Sequence, residues 1–294
     1  MIVVTASTGT IGRQVLKNLL VGDERIRVIV RDPSWLSPQT RARVEVVQGS
    51  HGDIHVVNRA FAGADALFWL VPADPRAKSV EAAYVDFARP ACDAIKSRGI
   101  RRVVDITALG RGLPIAQHAG YVTASLAMND LVKSTGVSYR ALTMPSFMDN
   151  IIRQLESIKN EGMFFSPISG NRKLPACATR DIADVAAKLL LDSSWSGQED
   201  VAVLGPEDLS FNDMAQIMSE VLGKPIRFQQ ISFEAYKARF IEVGMSEAMA
   251  QGMTDMAIAK NTGLDNAEPR TPENTTPTSF RQWCAEVLKP AYLK

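Results

Sequence analysis

Residues 4–12 read VTASTGTIG, between the apolar run IVV and the amphipathic stretch GRQVLKNLLVG. Between a strand and a helix, backbone N–H groups left unpaired at the helix N-terminus attract a pyrophosphate, helped by the helix dipole. Glycines let that backbone come close. Gly9 suits phosphate approach and Gly12 suits packing of the helix on a sheet, with Thr5, Thr8, Thr10 and Ile11 completing the loop. Ala6 stands where such loops carry a tight-turn glycine, so a left-handed backbone there would be strained. The competing reading is an ordinary strand–helix turn. A second clue lies in VIVRDP, where Arg31 closes an apolar run. An acidic residue at that tip favours a free ribose 2′-hydroxyl, whereas a guanidinium clamps a 2′-phosphate. Together the two stretches point to NADP(H). Asp32 either opposes the phosphate or faces solvent, and a plain surface arginine is the alternative for Arg31.

Such a loop needs strands to hold it. Residues 2–5, 26–30, 44–47, 66–71 and 101–106 are apolar runs of strand length, rich in branched side chains that suit a sheet covered on both faces. Helical patterns alternate with them: Val15, Leu16, Leu19 and Leu20 share one face, and VEAAYVDFARPACDAIKSRG is stopped at Gly99 with Pro90 as a kink. This rhythm predicts an α/β fold, a Rossmann-type doubly wound parallel sheet, followed by a smaller, mostly helical C-terminal domain. The boundary is placed at residues 1–150 and 151–294, with about 176–205 returning to the core. In the second part, Thr179 is the expected N-cap of TRDIADVAAKLLLDS. Ser210 and Asp213 read as a capping box for a helix with Met214, Ile217, Met218 and Val221 on its apolar face, ending at Gly223 and Pro225.

Composition narrows the partners. The chain has 294 residues, 46% apolar and 22% charged, and a net charge of +1, which gives no electrostatic reason for nucleic acid or a membrane surface. No apolar run approaches the roughly 20 residues needed to cross a bilayer. MIVV enters a strand directly, leaving no room for a signal peptide, so a cytoplasmic location is expected. Cys92, Cys177 and Cys284 are far apart and suggest neither disulfides nor a metal site.

VTASTGTIG, VIVRDP, AFAGADALFWLVP, GIRRVVDITALG, VKSTGVSYRALTMPSFMDN and LSFNDMAQIMSEVLGKPIRFQQISFEAY together resemble the NmrA-like family of atypical short-chain dehydrogenase/reductases. Within it the chain looks most similar to reductases of the triphenylmethane and quinone type. The resemblance spans nearly the whole chain and implies NADP(H) bound to a Rossmann core. It assigns Thr8, Gly9, Thr10, Ile11 and Gly12 to the pyrophosphate, Arg31 to the 2′-phosphate, and Leu70, Val71 and Pro72 to the adenosine half. Thr107 and Ala108 line the nicotinamide side, and Pro145, Phe147 and Asn150 close over it. Two departures stand out: Gly49 and Ser50, followed by HGD, replace the family's GD near the adenine, and Met144 replaces the arginine before Pro145.

Short-chain reductases commonly pair a tyrosine with a lysine four residues on, and the lysine lowers the phenol's pKa from about 10 so that it can donate a proton. Tyr121 is in a suitable place, but the fourth residue on is Ser125, and Lys133 lies two turns further, roughly 12 Å by helical rise. Three readings follow. A reductase without a Tyr/Lys couple passes hydride to a hydrophobic aromatic or conjugated acceptor such as a quinone, dye or imine, with Thr107, His118 and Tyr121 as the candidate catalytic residues. A regulatory protein senses NADP(H) and binds a protein partner. Or Tyr121 is a core aromatic and His118 a surface loop residue. Met245, Met249, Met253 and Met256 form one helical stripe, either core or a soft wall for such an acceptor, with Phe147, Phe164 and Phe165 beside it.

Overall fold

The computed structural model describes residues 1–294, and the chain divides into two compact units. The division is not at residue 150. The first unit is Met1–Thr107, Ala124–Thr143 and Ile182–Val201; the second is Ala108–Thr123, Met144–Asp181 and Ala202–Lys294. The chain interleaves because the sheet takes its last strands from beyond residue 107, and a linear hydrophobic pattern does not carry that pairing.

The strands are β1 Ile2–Val4, β2 Ile26–Val30, β3 Glu45–Gln48, β4 Ala66–Trp69, β5 Arg102–Ala108, β6 Ser138–Met144, β7 Ser146–Phe147, β8 Met163–Ser166, β9 Leu174–Cys177, β10 Gln198–Ala202, β11 Asp208–Leu209 and β12 Arg227–Gln230. Seven of them form one sheet in the order β10-β6-β5-β4-β1-β2-β3. β1 runs parallel to both β2 and β4, with Val3 opposite Arg27 on one side and Leu67 on the other. The order therefore reverses at β1, and its carboxyl end, the start of VTASTGTIG, is the switch point at which such sheets bind ligands. Helices α1 Thr10–Leu19, α2 Pro38–Arg41, α3 Ile54–Phe61, α4 Phe87–Arg98 and α5 Tyr121–Lys133 connect these strands. Val3, Phe61, Leu67, Trp69, Val103 and Tyr139 fill the core between them. Pro90 lies inside α4, and one π turn, Ala82–Asp86, immediately precedes that helix, which ends at Gly99 in the left-handed region.

One feature of this apolar core is polar. Asp105 on β5 is fully buried, and its carboxylate accepts from Tyr139 Oη at 2.6 Å, Asn129 Nδ2 at 2.9 Å and the Ile106 N–H at 2.7 Å. Two residues on, Thr107 Oγ1 lies 3.0 Å from Ser125 Oγ. Residues i and i+2 of the strand thus meet i and i+4 of α5, because both spacings keep side chains on one face.

The second unit holds α6 Leu155–Glu161, α7 Thr179–Leu191 (most of which returns to the first), α8 Phe211–Leu222, α9 Phe233–Glu242 and α10 Glu247–Asn261. Its core gathers Ile158, Phe164, Met218, Phe280 and Trp283. Ser210 and Asp213 make the expected capping box, closed by Gly223 at φ 71°. Helix α7 begins at Thr179 itself, whose N–H donates to Asp149 at 3.1 Å. No helix is long and apolar enough to cross a membrane.

Burial pushes the Asp105 carboxyl up to about 7, against the three hydrogen bonds that favour its ionised form. The native state therefore holds this proton more tightly than the unfolded chain does. The contribution is present in full below the unfolded value of 3.8 and is lost as pH rises through about 7. Chemical denaturation of the wild type and Asp105→Asn at pH 5 and pH 8 is expected to show the variant gaining on the wild type at pH 8, by on the order of a few kcal/mol. An equal gap at both pH values would contradict a proton on Asp105.

Candidate functional site

The loop after β1 turns on Ala6, whose φ of 48° makes it the one non-glycine residue in the left-handed region. Its carbonyl accepts the Gly9 N–H at 2.9 Å. A Cβ built on Gly12 would lie 2.2 Å from that same oxygen, so Gly12 is required by the close approach of α1 to the loop rather than to the sheet. At Gly9 the corresponding distance is 3.3 Å. Gly9 caps α1 without any side-chain bond, and no acidic residue occupies the first turn. The helix thus begins with unspent N–H groups and no competing negative charge. The Ser7 hydroxyl, buried beside them, has no hydrogen-bond partner. These are the features that a pyrophosphate would satisfy.

The loop opens on a cavity of ≈ 290 Å³ lined by Ala6, Thr8 and Gly9, by Ile29 and Arg31 of β2 and its tip, and by Trp35, His51 and Pro72. The Arg31 guanidinium lies over the exposed Trp35 ring, 5.7 Å from its centroid. Asp32 is exposed and faces solvent. Its carboxylate accepts the Ser34 N–H at 2.9 Å and caps the short turn Pro33–Trp35, and that bond holds its pKa below the usual range.

His51 is the residue that sequence reasoning missed. It is buried edge-on to Trp69 and Phe87, with ring centroids 5.2 and 4.9 Å away, and its Nε2 meets the Leu70 carbonyl at 3.1 Å. Burial pushes its pKa down to about 4, so at neutral pH it is uncharged. Bonded to a carbonyl, Nε2 must then carry the hydrogen, leaving Nδ1 as acceptor. The only signal in the sequence was the unusual HGD after Ser50.

Other assignments look different in place. The Thr5 hydroxyl is spent within the sheet, donating to the Phe68 carbonyl at 3.0 Å and accepting the Leu70 N–H at 2.9 Å, so it is structural rather than a phosphate ligand. Ser50 Oγ accepts the Gly52 N–H at 3.2 Å. Val71 is buried, while Pro72 is exposed in the cavity wall. Thr107 and Ser125 form the hydroxyl pair described above, and Lys133 is held by Asp200 at 2.6 Å.

In the second unit, His118 is exposed at the end of the turn Pro114–His118, and Asn150 is exposed. Pro145 is buried, and half-buried Phe147 pairs with Cys177 between β7 and β9. Gly120 and Gly252 bring the start of α5 onto α10, since a Cβ at Gly120 would lie 2.0 Å from the Gly252 carbonyl oxygen. The methionine stripe is shorter than its spacing implied. Met245 precedes the N-cap Ser246, and Met249 is wholly buried, which leaves Met253 and Met256 half-buried. Phe164 is core, packed against Phe211 and Phe228, whereas Phe165 is partly open. Burial pushes the Tyr121 phenol up to about 12, with Arg153 acting in the opposite direction.

Comparison with known proteins places this geometry. The NmrA-like family pattern matches residues 1–283. A (4-alkanoyl-5-oxo-2,5-dihydrofuran-3-yl)methyl phosphate reductase of Streptomyces griseus is 27% identical over 292 residues, covering 97% of each chain. The NADPH complex of the quinone oxidoreductase QOR2 of Escherichia coli superposes with a TM-score of 0.80 at 20% identity, over 98% of this chain and 99% of that one. The NADP(H) complex of the Citrobacter triphenylmethane reductase gives 0.79 at 20% identity, over 96% and 98%.

The packing of α1 on Ala6 predicts that Gly12→Ala destabilises the fold by about 1–3 kcal/mol through overpacking. Gly22→Ala is the control, because a Cβ there meets nothing within 4 Å. Urea denaturation of the two variants checks this, and equal stabilities would contradict the close approach.

Proposed function

Because this chain belongs to the NmrA-like family, we propose that it is an NADPH-dependent reductase of hydrophobic aromatic or conjugated acceptors, such as quinones, dyes or imines, acting without a tyrosine–lysine couple. The reading is carried by one observation: Arg31, held over Trp35, faces the same cavity as an uncapped, glycine-lined helix N-terminus. The relatives support it, since they are reductases by name and the quinone and triphenylmethane reductases were solved with NADPH or NADP(H). Like them, this protein is an oxidoreductase that uses NADP(H). Bound NADPH supplies a hydride.

The chain's own residues do the rest. N–H groups of Thr8, Thr10, Ile11 and Gly12 hold the pyrophosphate, Gly9 lets it come close, and Arg31 takes the 2′-phosphate with its guanidinium plane fixed by Trp35. Ser50, Leu70, Val71 and Pro72 flank the adenosine, and Thr107 belongs to the nicotinamide end. In the second unit, Phe147, Asn150 and Phe165 offer a mixed aromatic and amide surface to the acceptor. Tyr121 remains protonated at every physiological pH because burial disfavours its phenolate. It positions the acceptor rather than exchanging protons, which suits acceptors that are already cationic or that take protons from water.

The test is a fluorescence titration with NADPH and NADH, repeated on Arg31→Ala. The variant is expected to bind NADPH about tenfold or more weakly while its NADH affinity changes little, as loss of a charge-assisted bidentate contact requires. Steady NADPH consumption with a quinone or dye would exclude a purely sensing role. Tyr121→Phe is expected to keep most of that turnover and to leave the pH–rate profile unmoved. Loss of most turnover would show that the phenol is a proton donor after all.

A further inference from the structure

Two arginines of the second unit have no carboxylate. Arg153 lies in the turn Met148–Gln154 and Arg239 in α9; both are exposed, and neither forms an ion pair. The acids nearest along the chain do not neutralise them. Asp149 accepts the Thr179 N–H at 3.1 Å, while Glu156 and Glu242 are exposed and pair with neither arginine.

Arg239 lies against Phe165, and Gln154, the residue after Arg153, is bonded to the same residue. The side chain of Gln154, next to Arg153, grips the Phe165 backbone from both sides: Nε2 donates to its carbonyl at 3.0 Å, and Oε1 accepts its N–H at 2.8 Å. The Arg239 guanidinium lies over the Phe165 ring, 4.3 Å from its centroid. One turn before Arg239, Tyr236 stands edge-on to Phe240 at 4.7 Å. Burial pushes the Tyr236 phenol up to about 12, and the Arg153 charge opposes that push, as it does at Tyr121. Arg153 is therefore within electrostatic reach of both hydroxyls. Two cations without a carboxylate partner, one of them stacked on Phe165 and the other acting on the Tyr236 phenol, make a surface complementary to a flat molecule that carries an anion.

Resting on the reductase reading above, we infer that the acceptor is an anionic aromatic or conjugated compound, its carboxylate, sulfonate or phosphate taken by Arg153 and Arg239 and its ring system resting on Phe165 and Tyr236. Nothing in this assignment requires a further covalent step. The anchor sets which acceptor is used, through binding.

The experiment compares 2-methyl-1,4-naphthoquinone with 1,4-naphthoquinone-2-sulfonate as acceptors for NADPH, on wild type, Arg153→Ala, Arg239→Ala and Arg153→Lys. The ratio of kcat/KM for the sulfonate to that for the neutral quinone is expected to fall about tenfold in each alanine variant, through KM rather than kcat, and to recover partly in the lysine variant. Added salt is expected to lower the ratio in the wild type and to have little effect in the alanine variants. An unchanged ratio in both alanine variants would overturn the anchor. Calorimetric titration of the NADP⁺-loaded protein with anthraquinone-2-sulfonate separates this idea from the reductase reading. Binding that weakens in Arg153→Ala supports the anchor even where no quinone is reduced, in which case the reductase reading alone falls. Equal binding by wild type and variant, or none by wild type, sinks the anchor while leaving any quinone turnover to stand.

Discussion

The carbonyl of Ala6 is the point on which the cofactor-side unit is built. It receives the Gly9 N–H, and Gly12 packs so close to it that no side chain fits between them. For this, an L-alanine adopts a left-handed backbone, at a cost of about 1 kcal/mol. The neighbouring residues hold it there. Thr5 is tied to Phe68 and Leu70 through its hydroxyl and to the Phe68 carbonyl through its N–H at 3.1 Å. Leu70 in turn offers its carbonyl to His51. One path of hydrogen bonds thus runs from the glycine loop across β1 and β4 to the opposite wall of the cavity. The loop and that wall keep their shape together, which is why Thr5 is a structural residue in a stretch whose neighbours Ala6, Thr8 and Gly9 line the cavity.

What was legible in the sequence follows from which interactions are local. Strands of a parallel sheet are buried on both faces, so their apolar runs are readable without knowing their partners. Caps are readable for a similar reason, since Ser210, Asp213, Gly99 and Gly223 each act on backbone within a few residues. The glycine loop and Arg31 were legible because their chemistry is tied to a strand end. His51 was not, because its character comes from Trp69, Leu70 and Phe87, which reach it only through the fold. The methionine stripe does not include Met245, because the four-residue spacing from Met245 to Met249 crosses the N-cap Ser246 at which the helix begins. The line at residue 150 departs from the observed division at Ala108–Thr123, which belongs to the second unit, while Ile182–Val201 lies within the stretch expected to return to the core. The setting of Arg239 was not legible either, because Phe165, over whose ring it lies, is brought to it only by the fold.

Helix α5 shows how the missing lysine bears on the chemistry. Tyr121, Ser125, Asn129 and Lys133 follow one another at four-residue spacing, and the last three are each engaged in the first unit: Ser125 with Thr107, Asn129 with Asp105, and Lys133 with Asp200. The face that would carry a proton relay is instead a fastening of α5 to β5 and β10. A lysine at position 125 would have to bury its charge beside Thr107, near an Asp105 that already holds its proton up to about pH 7. Such a site favours neutral hydroxyls over an ammonium, because desolvation penalises an unpaired charge. Burial outweighs the opposing Arg153 charge, so the Tyr121 phenol is pushed up rather than down, and it does not shuttle a proton at neutral pH. Under the proposed function the burden passes to the acceptor, which must be electron-poor enough to take a hydride before any proton arrives. Conjugated rings meet that demand. An attached anion gives a surface with unpaired guanidiniums a way to select among them.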